Sequence, residues 1–135
     1  MKTVLLLFCL VFFAGCKKTI EQKVQNAIMD AMTNGQWAIT SFTANDSDVT
    51  PRFAGYKFQY FSNYTVNAIN HDTLESTGTW QGDVNAMNIS ADFPNAAVPL
   101  LLLNGTWHIT DNSWTYVKAS MATGTGVRTL ILEKL

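Results

Sequence analysis

Cysteine is nearly absent from these 135 residues; the only two are Cys9 and Cys16. A chain cut after position 15 would keep Cys16 alone, so no disulfide would brace it and its core must hold it together. About 120 residues can bury roughly two thirds of the surface of the unfolded chain, enough for one compact domain. Histidine is equally scarce: His71 and His108 stand at no metal-ligand spacing from each other or from a surviving cysteine, so no metal site and no cofactor are expected. Neither sign of charge dominates, with nine Lys and Arg against ten Asp and Glu. That balance leaves no basic stripe for nucleic acid and no acidic tail. There is also no Gly-x-Ser-x-Gly elbow, phosphate loop or dinucleotide fingerprint. No catalytic residue is assigned, and the chain is not expected to be an enzyme.

The one long greasy run, 4–13, is about ten residues, half of what a bilayer-spanning helix needs, and it follows a single basic Lys2. This is the build of a secretory signal. It ends in "FFAGCKK", where Ala14-Gly15-Cys16 resembles the lipobox of bacterial lipoproteins. The resemblance implies a signal peptide over 1–15 and a Cys16 that is acylated, with palmitate-like chains, and becomes the new amino terminus. The alternative is an ordinary secretory signal that leaves Cys16 a free thiol. The lipobox further implies a membrane partner through the lipid anchor and a place in the bacterial cell envelope. Lys17 and Lys18 stand where acidic residues would mark export to the cell surface, so the expected place is the outer membrane, facing the periplasm.

Thr19 and Gln22 have capping-box spacing, and Ile20, Val24, Ile28 and Met32 follow at helical intervals, so 16–34 reads as tether and amphipathic helix. Asn34-Gly35 stops the helix, since both residues tolerate positive φ. The apolar stripe either packs on the domain or lies along the membrane surface. From position 35 the period changes to two. Tyr56, Phe58 and Tyr60 alternate with Lys57 and Gln59, and Tyr64, Val66 and Ala68 alternate after a Ser62-Asn63 turn, which makes a hairpin. Further strands are predicted from Trp37 and over 77–81, 87–91, 105–110, 114–119 and 127–132. Pro94 and Pro99 exclude a central strand in "FPNAAVPLLLL", which predicts a turn or short helix. Its leucines either cap a barrel end or touch a membrane. Asn45-Asp46-Ser47, Asn63-Tyr64-Thr65, Asn88-Ile89-Ser90 and Asn104-Gly105-Thr106 read as turn chemistry.

Eight short strands with even spacing favour an antiparallel sheet that closes on itself, which removes exposed edges. The fold class is therefore all-β: an eight-stranded antiparallel up-and-down β-barrel over 35–135, preceded by one N-terminal α-helix. The set Gly35-Gln36-Trp37, "FAGYKFQYFSNYTV", "GTW", "LNGTWHIT" and "TLILEKL" is similar to the small lipocalin-like lipoproteins of bacteria. The resemblance implies a barrel with a cavity for a small apolar molecule. It also implies a closed end where Trp37 packs under an arginine from near the last strand, for which Arg128 is the candidate.

Tyr56, Phe58, Tyr60, Trp80 and Trp107 are the candidate interior aromatics. They either line a ligand cavity or fill the core, because an eight-stranded barrel is just wide enough for side chains to occupy it. Two functions follow. One is a lipid-anchored module that binds a small apolar ligand in the barrel, and the other is a filled barrel that serves as a structural or interaction subunit for an envelope protein. His71 reads as a solvated turn residue and His108 as surface, opposite in phase to Trp107.

Overall fold

A computed structural model describes residues 20 and 22–135. The predicted signal segment 1–15, Cys16 and the lysines after it lie outside the described residues. Helix α1 takes in residue 20 and residues 22–33. It ends as its sequence requires: the Asn34 amide still bonds Asp30 at 3.1 Å, and Gly35 takes φ +85°. Only part of its apolar stripe packs on the domain. Met32 is buried and Ile28 and Met29 pack on the core, whereas Ile20 and Val24 face solvent.

Nine strands follow: β1 Trp37–Ala44, β2 Ser47–Asp48, β3 Tyr56–Tyr60, β4 Thr65–Asn70, β5 Thr73–Asp83, β6 Asn88–Asp92, β7 Gly105–Asn112, β8 Tyr116–Thr123 and β9 Gly126–Lys134. The two-residue β2 is only a hairpin arm on β1, so eight strands form the wall. From β3 onward each strand pairs antiparallel with the next, and β1 closes the barrel between β3 and β9. The β1–β9 seam runs from Trp37↔Lys134 to Ala44↔Arg128, while β1 meets β3 only at Trp37↔Phe58. A bulge between Ile39 and Ser41 shifts the phase of β1, so that Trp37, Ile39 and then Phe42 point inward. On β3 and the first part of β4 apolar side chains face in and polar ones out, the inverse of a barrel that spans lipid.

The turns have specific chemistry. Asn45-Asp46 and His71-Asp72 both sit at positive φ between paired strand ends, as two-residue hairpin loops need. His71 is thus an exposed turn residue, and His108 is exposed on β7. Asn88 and Asn104 are not turn residues: Asn88 begins β6, and the Asn104 side chain pairs with both backbone groups of Phe93, at 2.7 and 3.1 Å. Tyr64 does not continue the Val66–Ala68 face. Asn63 Oδ1 accepts the Thr65 amide at 3.1 Å, which throws Tyr64 to φ 67° and out of the strand.

The barrel has two unlike ends. One is plugged by two 3-10 helices, η1 Thr50–Phe53 and η2 Leu100–Leu103. With three residues per turn, η2 directs Leu100 and Leu103 inward, Leu102 packs against the core from its edge, and only Leu101 is exposed. The other end lies under α1. Trp37 sits there, fully buried, and donates its indole N–H to Met32 O at 3.0 Å.

The arginine expected over Trp37 is elsewhere. Arg128 shares the inward phase of Leu130 and Leu132, but β9 runs antiparallel to β1, and the residue opposite Trp37 is Lys134, about 20 Å further along the strand. Lys134 Nζ lies 5.1 Å from the centre of the Trp37 ring and donates to Ala31 O at 2.9 Å. Arg128 instead donates to Leu102 O at 3.1 Å and ties η2 to the wall at the plugged end.

Trp37→Ala is expected to cost about 3 to 5 kcal/mol. Lys134→Met should cost about 1 to 2 kcal/mol and lose amide protection in α1. Arg128→Lys should leave that protection intact. Thermal unfolding with hydrogen exchange checks all three, and equal loss of α1 protection in the Arg128 variant would contradict this placement.

Candidate functional site

The five candidate aromatics all lie in the barrel interior, where they pack on one another and on aromatics from the plugged end. Tyr56 stacks on Phe58 at 6.0 Å and meets Phe53 edge-on at 5.8 Å. Tyr60 meets Trp80 edge-on at 5.3 Å, and Trp107 meets Phe42 at 5.7 Å. These are the offset and edge-on arrangements that aromatic quadrupoles favour. The space left beside Phe58, Tyr60 and Trp107 is about 30 Å³. That is one water's share of volume, an order of magnitude below a small-molecule pocket.

The polar atoms of Trp80, Trp107 and Tyr56 find partners outside the core. Trp80 Nε1 donates to Phe61 O at 3.0 Å and Trp107 Nε1 to Leu103 O at 2.9 Å, so with Trp37 each buried indole ties the wall to a connection outside it. The Tyr56 hydroxyl leaves the core to donate to Glu75 Oε2 at 2.6 Å. Burial and the neighbouring carboxylate push that phenol up to about 12. Burial also raises Tyr60.

A larger space lies at the α1 end. Here α1 on one side and the β5–β6 and β7–β8 connections on the other enclose a groove of about 370 Å³. Val24, Ile28 and Met32 form the helix side, Trp37, Ile89 and Val117 the floor, and Met87, Ile109 and Trp114 the far wall. The groove stays open because α1 is held at a fixed distance. Gln25 Nε2 donates to Gly82 O at 2.9 Å and Gln25 Oε1 accepts the Val84 amide at 3.4 Å, while Trp37 and Lys134 hold the last turn.

Asp83 is the one charged residue of the lining, and its Oδ1 is occupied by the amides of Asn85 and Ala86 at 3.0 and 3.1 Å. No cationic side chain lines the groove, so an anionic ligand has no partner there, and the mostly apolar lining suits an apolar group. No group of three His, Cys, Asp or Glu among the described residues is placed to hold a metal ion.

Sequence reasoning named Trp37 among these residues but gave it a different role. Met87 and Trp114 were expected to begin strands. Both lie in the connections, because Asp83 caps the backbone of the β5–β6 turn and Ser113 Oγ accepts the Thr115 amide at 3.1 Å. The sequence signal for the groove was the helix stripe Val24, Ile28 and Met32, and nothing marked Met87 or Trp114 as its far wall.

No family model matches the chain, and no curated protein matches it. Among solved structures, the barrel is similar to a DUF4847 family protein from Bacteroides vulgatus ATCC 8482. The TM-score is 0.55 at 11% identity, over 78% of this chain and 96% of that one. At that identity the likeness concerns the barrel fold alone.

Tyr56 and Tyr60 keep their protons more firmly folded than unfolded. The stability this contributes is complete below the ordinary phenol value near 10 and is lost as pH rises towards the folded value, about 12 for Tyr56. Tyr56→Phe should therefore flatten the fall in melting temperature between pH 10 and 12, measured by circular dichroism. An unchanged slope would remove Tyr56 from this role.

Proposed function

We propose that this chain is a lipocalin-like lipoprotein of the bacterial envelope, anchored through Cys16 on the periplasmic face of the outer membrane, that holds a small neutral apolar molecule. The binding site in this reading is the groove under α1 rather than the barrel interior. One observation carries it: about 370 Å³ of apolar space lies at the α1 end, against about 30 Å³ inside the wall. The groove falls within the range of small-molecule sites, and the interior void does not. A flexible chain or a single ring fits the lining better than a charged metabolite, and no chemistry on the ligand is proposed. The filled interior favours a second reading, a rigid structural subunit that presents its loops to another envelope protein.

Native mass spectrometry of protein released gently from its own membranes tests the proposal. The expected species begins at an acylated Cys16 and carries one apolar adduct per chain. Ala27→Phe puts a ring into the groove from a half-buried helix position and should remove the adduct while preserving the fold. Phe58→Ala should keep the adduct and lower stability by about 3 to 5 kcal/mol. No adduct on the wild type would favour the structural reading, and an unmodified Cys16 would contradict the anchor.

A further inference from the structure

We infer that the α1 end of the barrel rests on the surface of a lipid bilayer, through a rim made by Ile20, Val24, Phe61, Tyr64, Met87 and Trp114. All six are exposed. They come from four separate segments: α1, the β3–β4 turn, the β5–β6 connection and the β7–β8 connection. The strand directions bring these four to one end. β3 leads out to Phe61, β5 to the turn holding Met87 and β7 to Trp114, while β1 begins beneath α1. Val24, Met87 and Trp114 line the same groove, so this part of the rim is continuous.

The chemistry of the rim identifies its partner. All three exposed aromatic residues among the described residues, Phe61, Tyr64 and Trp114, come from connections at this end, with Trp114 at the lip of the groove and Tyr64 lying back against Trp80 on the outer wall. The plugged end also exposes apolar side chains, Leu74, Val98, Leu101 and Val127, but every one of them is aliphatic. Tyr64 and Trp114 are amphipathic rings with an apolar body and a polar tip, which suit the headgroup level of a bilayer, and Phe61 adds apolar area. Trp114 is 63% exposed, although the other three tryptophans are each at least 98% buried. An indole left in water at the lip of an apolar groove needs cover, and lipid supplies it with no shape requirement.

Tether length makes the same choice. Ile20 is four residues after Cys16, and four residues reach at most about 14 Å. If Cys16 carries the lipid, the start of α1 cannot stand far from the headgroups, and Lys17 and Lys18 fall where anionic phosphates attract cations. The inference relies on the anchor only for this reach and does not require a ligand in the groove.

Trp114 is also the reporter. The processed protein is placed on vesicles of phosphatidylethanolamine and phosphatidylglycerol, with or without bromine on the acyl chains, and titrated with aqueous iodide. The expected result is quenching of the exposed indole by brominated lipid and a severalfold loss of iodide access, both absent in Trp114→Phe. The groove-filling variant Ala27→Phe should behave as the wild type, which separates this inference from the ligand reading. Four results would overturn it: full iodide access on the vesicles, failure of the protein to stay on them, protection lost in Ala27→Phe, or protection that disappears on dilution to one protein per vesicle. The last would assign the rim to a second copy of the chain.

Discussion

The contact on which the rest depends is the one between Trp37 and the last turn of α1. A helix ends with carbonyls that have no partner in the helix, and here two of them receive donors from the barrel: Ala31 from Lys134 Nζ and Met32 from the Trp37 indole. The ammonium also lies over the indole ring. A cation at the helix C-terminus is favoured by the helix dipole, by the ring face and by the hydrogen bond together. Because Trp37 pairs with both Lys134 and Phe58, the same residue closes the barrel and sets the position of the helix over its mouth.

That joint explains why the usable space lies where it does. Eight strands enclose little volume, and three buried tryptophans with Phe42, Phe53, Phe58 and Phe93 consume nearly all of it. The plugged end is sealed by η1 and η2. The α1 end is different, because the helix touches the barrel with its last turns and with Gln25, leaving an apolar gap beyond. In the proposed reading, a lipid anchor would bring that gap against the membrane, where apolar molecules are concentrated.

Much of the fold was legible because alternation is a strong signal: Tyr56, Phe58 and Tyr60 face inward as their spacing demands, and the strands lie close to their predicted places. Proline and the leucine run likewise marked η2. What was not legible was a matter of register. Arg128 and Lys134 are in phase on one strand, and only the strand pairing decides which of them stands over Trp37. The groove was hidden for a similar reason. Trp114 and Met87 look like strand residues until the side chains of Ser113 and Asp83 bond to the backbone and turn the chain. The interior aromatics were recognised, but whether they leave a cavity depends on how η1 and η2 insert Phe53 and Leu103, which periodicity does not report.

Two-dimensional NMR of the indole N–H signals during titration with a neutral apolar probe tests the central claim most directly. The four tryptophans sample the molecule evenly, with Trp37 and Trp114 lining the groove and Trp80 and Trp107 inside the wall. The account predicts that the Trp37 and Trp114 signals shift with saturation while those of Trp80 and Trp107 stay in place. Shifts of Trp80 and Trp107 with Trp114 unmoved would put the ligand in the barrel and contradict it.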